Sequence, residues 1–203
     1  MNETRKSEIK AALILAALAV FEGIFVILNF LQNGQKFVVY LGFSADKSGT
    51  VLGWIFALVV TLVFVLLSIR LPSVRANLFR PSWLKLLAVA VAIFAGILEE
   101  LVFRKLLMDY LSASGTGVIS QILLSGLLFG LMHGVWGLFG RSIRAALGAT
   151  IATGFLGTAL AIVYIASGRS LAPCIVAHFL INLMIEPGLV LAATRGEIGN
   201  KNH

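Results

Sequence analysis

Three short stretches place side chains capable of acid–base chemistry inside otherwise apolar sequence. They are Glu99-Glu100-Leu101-Val102-Phe103-Arg104, Phe129-Gly130-Leu131-Met132-His133 and His178-Phe179-Leu180-Ile181-Asn182. An ionisable group at membrane depth costs roughly 2.5–3.5 kcal/mol on insertion scales, so each one demands a reason. Residues four apart on a helix share a face. Glu100 and Arg104 can therefore pair and offset part of each other's burial. Glu99 lies about 100° around the helix and need not join them, so one carboxylate is left available. His178 and Asn182 project from one face of their helix, and Phe129 sits one turn before His133, where it can fix the packing of the imidazole.

These residue types support a limited set of reactions. A free carboxylate can take a proton from water as a general base. Imidazole N–H and carboxamide NH₂ groups can stabilise a tetrahedral oxyanion. Glu99, His133 and His178 also make a possible His₂Glu set for zinc, although no His-Glu-x-x-His helix accompanies them. Cys174 precedes His178 by one turn. Two neighbours on one helix rarely reach the line of attack that a nucleophile and its base need, so Cys174 reads as a packing residue. Each feature alone has a structural explanation: a Glu–Arg clamp, an interfacial histidine, a His/Asn contact between helices. Together they favour a site, because the chain has three histidines and one of them is the terminal His203.

The elements that must position these groups are membrane spans. The chain has 203 residues, 59% hydrophobic and 12% charged, with a mean hydropathy of +0.99. A soluble domain carries about 25% charged residues. A soluble globular domain is therefore excluded, and so is disorder, which needs low hydrophobicity. The single cysteine excludes a disulfide framework and Cys-rich metal sites. With about 20 apolar residues needed per crossing, six spans are expected: Ala11–Phe30, Val51–Ile69, one from Leu84 to Leu111, Val118–His133, Ala145–Ser167, and Leu171 to about Thr194. The fold class is all-α, a polytopic membrane protein of one domain over residues 1–203. Gly148, Ala149, Ala152, Gly154, Gly157 and Ala161 give the fifth span the small residues of close helix packing. Pro187 is expected to kink or end the sixth. The first span is longer than a leader's apolar core and lacks a small-residue cleavage site, so it reads as retained.

The net charge of +7 comes from basic clusters between the apolar runs. Such clusters face anionic lipid, and nucleic acid is not an expected partner. With a cytoplasmic N-terminus, eleven of the sixteen Lys and Arg residues fall on the inner side, including Arg141, Arg195 and Lys201. Both termini are then cytoplasmic, and a prokaryotic cell membrane is the expected location. Trp54, Trp83 and Trp136 suit interfacial anchors. Glu22 and Asn29 either line a cavity or are tolerated locally, the second being favoured. Asp109 either pairs with Lys105 or faces solvent. Glu186 falls in the expected helix break, and 32–49 reads as an exposed loop. At 1.5 Å per residue, the three motifs meet at one depth only if the third helix continues through Phe103–Met108. A water-filled cavity at mid-membrane or on the cytoplasmic side is then expected.

Glu-Glu-x-x-x-Arg, Phe-x-x-x-His and His-x-x-x-Asn, in that order on successive helices, resemble the signature of the CPBP intramembrane proteases. This is the Abi or CAAX-protease family, which includes the type II CAAX prenyl endopeptidases. The motifs match at Glu99-Glu100-Arg104, Phe129-His133 and His178-Asn182, and Leu171-Ala172-Pro173 resembles the usual lead-in. The likeness covers roughly residues 84–190, which the resemblance marks as a catalytic core of four helices. It implies hydrolysis of a peptide bond by a glutamate-activated water, with neither metal nor cofactor. Glu99 would be the base, His133 would help hold the water, and His178 and Asn182 would form the oxyanion hole. Glu100, Arg104 and Phe129 would support them. The partners implied are a peptide or membrane-protein substrate and the lipid bilayer.

Two other functions fit the same sequence. One is a catalytically silent membrane scaffold of this family that binds a peptide or a processing partner. The other is a small proton-coupled transporter using the Glu/His cluster as a relay, although inverted repeats or broken helices are not evident. Replacing Glu99 by Gln separates protease from scaffold.

Overall fold

The computed structural model describes residues 3–135 and 143–197. Trp136, Arg141, Lys201 and His203, which entered the sequence reading, lie outside the described residues. Among those described, all regular structure is helical: α1 (Glu3–Asn33), α2 (Gln35–Tyr40), α3 (Val51–Ser68), α4 (Pro72–Asn77), α5 (Trp83–Glu100), a π-helical segment Leu101–Leu106, α6 (Leu107–Ala113), α7 (Val118–His133), α8 (Ile143–Ala166) and α9 (Ala172–Thr194).

Five stretches are long and apolar enough to cross a membrane: Thr4–Asn33, Val51–Ser68, Trp83–Ala113, Ile143–Ala166 and Ala172–Thr194. The fourth expected span, α7, has 16 residues, about 24 Å of helix against a hydrocarbon core of about 30 Å. The third span does continue through Phe103–Met108, as the depth argument required, but by way of the π-helical segment. Burial runs opposite to that of a soluble protein. Leu13, Phe21 and Leu58 are 59–66% exposed, whereas Glu100 and Arg104 are 0% exposed. Apolar side chains face outward to lipid, and the charged pair is enclosed.

Helix α9 lies at the centre, in contact with α1, α3, α4, α5 and α8. Two local devices set the helix starts. Thr50 Oγ1 accepts from the Gly53 N–H at 3.0 Å and donates to the Ala166 carbonyl at 2.6 Å, tying α3 to the end of α8. Ser82 Oγ accepts from the Lys85 N–H to start α5. Helices α7 and α8 meet through small residues, as their sequence foretold. A Cβ at Gly130 would lie 2.5 Å from the Thr150 carbonyl oxygen. A Cβ at Gly157 would lie 2.9 Å from Phe129 Cβ.

Pro187 does not end α9, which continues to Thr194. Proline has no N–H, so the carbonyl four residues earlier, on Leu183, loses its helical donor. Lys85 of α5 supplies a substitute. Its Nζ donates to the Leu183 carbonyl at 2.7 Å and reaches the Met184 carbonyl at 3.4 Å. In a membrane a backbone acceptor freed in this way needs such a partner.

Both ends of the described chain meet at one end of the bundle, where Thr194 Oγ1 donates to the Ser7 carbonyl. The stretch 32–49 is less of a loop than expected, since it holds α2 and buries Phe37 and Leu41.

Candidate active site

Glu99 and Glu100 end α5, and the π-helical segment that follows carries Arg104. The pairing expected from their four-residue spacing is present, with Arg104 Nε 3.0 Å from Glu100 Oε2 and both side chains fully enclosed. Arg104 Nη2 also donates to the Gly157 carbonyl on α8 at 3.1 Å. A π-helical turn frees backbone carbonyls, and one of them, on Phe103, accepts from Ser125 Oγ of α7 at 3.0 Å.

The second oxygen of Glu100 faces another helix. His178 of α9 donates from Nδ1 to Glu100 Oε1 at 2.7 Å. A carboxylate paired with arginine can only accept, so the proton resides on Nδ1, and Nε2 of this ring points elsewhere. It points at Glu99, whose Oε2 is 3.7 Å away. From α7, His133 Nδ1 donates to the Phe129 carbonyl at 2.9 Å, and its Nε2 is 3.8 Å from the same Glu99 oxygen. One carboxylate oxygen thus faces two imidazole nitrogens from two other helices. Both separations exceed a direct hydrogen bond and suit a bridging water.

Phe129 packs against all of these groups. Its ring centroid is 4.5 Å from that of His133 and 5.8 Å from that of His178, and the Arg104 guanidinium carbon lies 4.7 Å over its face. Phe103 meets it edge-on at 5.2 Å. A guanidinium over an aromatic face is attracted by the ring's quadrupole. Gly157 allows the approach, because its missing side chain leaves room for Phe129.

The structure therefore brings Glu99, Glu100, Arg104, Phe129, His133 and His178 together. Asn182 stands one turn beyond His178, half-buried, and its carboxamide has no hydrogen-bond partner among the described residues. Cys174 is turned away, with Sγ donating to the Leu160 carbonyl at 3.5 Å. No group of three or more His, Cys, Asp or Glu residues among those described is arranged to hold a metal ion. Glu99 and His133 are only 13% and 16% exposed, so the site is covered more closely than the expected water-filled cavity.

Outside the three motifs, two further carboxylates, Glu22 and Glu186, sit on α1 and α9. Glu22 and Glu186 each keep a buried, unpartnered oxygen. Asn29, by contrast, donates to the Phe25 carbonyl on its own helix and is satisfied locally. Away from the site, Asp109 does pair with Lys105, at 3.0 Å. It also takes Arg169 Nη1 at 2.7 Å and the Tyr164 hydroxyl at 3.0 Å.

The model of the family described as type II CAAX prenyl endopeptidase Rce1-like matches residues 81–184, just over half of the chain. The chain belongs to the Rce1-like family. The matched stretch runs from Pro81 to Met184 and contains every one of Glu99, Glu100, Arg104, Phe129, His133, His178 and Asn182. Rce1-like proteins are CAAX-type intramembrane proteases, and the apolar helices make this one an integral membrane protein. Neither a curated protein nor a solved structure gives a significant match.

Proposed function

We propose that the chain is an intramembrane endopeptidase in which Glu99 activates water to hydrolyse a peptide bond. The observation that carries this reading is the placement of Glu99 Oε2 at 3.7 Å from His178 Nε2 and 3.8 Å from His133 Nε2. With its Nδ1 proton held by the Phe129 carbonyl, neutral His133 presents a lone pair at Nε2. A water between Glu99 and His133 can donate one proton to each acceptor, which leaves an oxygen lone pair free for attack. Glu99 takes the proton as the new C–O bond forms and gives it to the departing amine nitrogen as the C–N bond breaks. The oxyanion then needs donors. Asn182 offers an NH₂ group. His178 offers Nε2–H when its ring carries both protons, with Glu100 as counter-ion 2.7 Å from Nδ1.

In this reading the catalytic core spans residues 84–190 within a single domain, and no metal takes part. The substrate is a peptide or membrane protein, as the family description implies. Both termini are assigned to the cytoplasmic side by the Lys/Arg bias of the sequence, in a prokaryotic cell membrane.

The deciding experiment is Glu99→Gln, assayed for cleavage of prenylated and non-prenylated model peptides in proteoliposomes. General-base loss lowers kcat by about 10²–10⁴-fold with the thermal transition unchanged. Retained cleavage overturns the reading, and so does a function such as partner capture that survives in the variant. Extensive chelation, followed by a metal assay on the protein, should leave activity intact. Its loss and its return with zinc would assign Glu99 and both histidines to a metal instead.

A further inference from the structure

At the end of the bundle where α1 begins and α9 finishes, a cavity of about 880 Å³ opens between α1, α4, α5 and α9. None of Glu99, His133 and His178 lines it. Its charged rim holds Arg5, Arg80 and Arg195 beside Glu8 and Glu197. Two of these charges are already engaged. Glu197 accepts from Ser73 Oγ at 2.5 Å and lies 3.7 Å from Arg195. Arg5, Arg80 and Glu8 have no ion-pair partner among the described residues. Two guanidiniums and one carboxylate are thus left facing the opening. The wall behind them is apolar, with Ile9 and Leu84. Trp83 also lines the cavity and is 82% exposed, which suits a tryptophan at a boundary between lipid and water.

We propose that this cavity binds a membrane phospholipid whose head carries a phosphate and a primary ammonium, as in phosphatidylethanolamine. Guanidinium groups hold phosphate oxygens by paired, charge-assisted hydrogen bonds. Arg5 and Arg80 take the phosphate, Glu8 accepts from the ammonium, and an acyl chain lies along the apolar wall. Basic pockets between membrane helices at the headgroup level commonly hold lipid heads in this way. The site is separate from the hydrolytic centre and does not depend on how that centre works.

The test uses the full-length protein, delipidated in a non-ionic detergent and titrated with single lipids while its thermal transition and its native mass spectrum are followed. Phosphatidylethanolamine should bind saturably. Phosphatidylglycerol, which lacks the ammonium, and phosphatidylcholine, whose nitrogen has no N–H, should bind more weakly. Inorganic phosphate alone should produce no shift. The double substitution R5Q/R80Q should weaken phosphatidylethanolamine by about tenfold or more, the effect of losing charged hydrogen bonds. E8Q should remove the preference over phosphatidylglycerol. If R5Q/R80Q does not fold, R80Q alone is scored for retained lipid by mass. An unchanged affinity in the arginine variants, equal binding of all three lipids, or a full response to inorganic phosphate overturns the proposal.

Discussion

Glu100 and His178 stand 78 residues apart in sequence and 2.7 Å apart in space, joined by one hydrogen bond from Nδ1 to Oε1. The other oxygen of Glu100 meets Arg104 at 3.0 Å. Glu100 therefore has two partners on two helices, and it fixes which nitrogen of His178 turns towards Glu99. The two neighbouring glutamates are chemically alike, yet their surroundings give them different parts: Glu100 is tied down, and Glu99 is left to face the imidazoles.

That division predicts opposite behaviour on substitution. Glu100→Gln removes the counter-ion of an enclosed guanidinium and should destabilise the fold by about 3–5 kcal/mol. Glu99→Gln leaves the ion pair intact, and its stability should stay near that of the wild type. Thermal unfolding in detergent micelles measures both. Equal transitions for the two variants would contradict the assignment of their roles.

The contact between α7 and α8 predicts a sharp difference between two glycines of one helix. A methyl group at Gly157 would sit 2.9 Å from Phe129 Cβ, while at Gly148 it would meet nothing within 4 Å. Gly157→Ala should push Phe129 against His133 and lower kcat, with a stability loss of about 1–3 kcal/mol from overpacking. Gly148→Ala should be neutral or stabilising, by up to about 1 kcal/mol, through helix propensity. Turnover and thermal midpoints of the two variants, measured side by side, check this.

The link between Lys85 and α9 predicts a rescue. Lys85→Met leaves the Leu183 carbonyl without a donor and should cost about 1–3 kcal/mol. Pro187→Ala restores the missing backbone N–H, so the double variant should recover most of that loss. A double-mutant cycle of unfolding free energies measures the coupling. A cycle that closes without an interaction energy would show that Lys85 does not serve that carbonyl.

Local spacing made part of this site legible. The Glu100–Arg104 pair and the shared face of His178 and Asn182 follow from helical periodicity, which any four-residue interval encodes. The need for a continuous third helix followed from matching depths. The unreadable part depends on contacts between distant segments. Nothing near Glu100 announces His178. Hydropathy does not register the extra residue per turn at Leu101–Leu106, because a sum over side chains is the same under either winding. Pro187 leaves α9 unended for a related reason. Its local effect is to break a helix, and the side chain that compensates comes from α5. Asp109 was read from its own helix alone, and so Arg169 and Tyr164 went unseen. The length of α7 was countable from the start, yet Val118–His133 was counted as a span like its neighbours.

That brevity bears on the supply of one reactant. Hydrolysis consumes water, which hydrocarbon excludes. A rod about 6 Å too short for the oily layer, by the difference of the two lengths, makes the adjoining leaflet sag inward to meet its tip. His133 is the last residue of that rod. In the proposed reaction, a bilayer that thins to match so short a helix would bring water close to that imidazole.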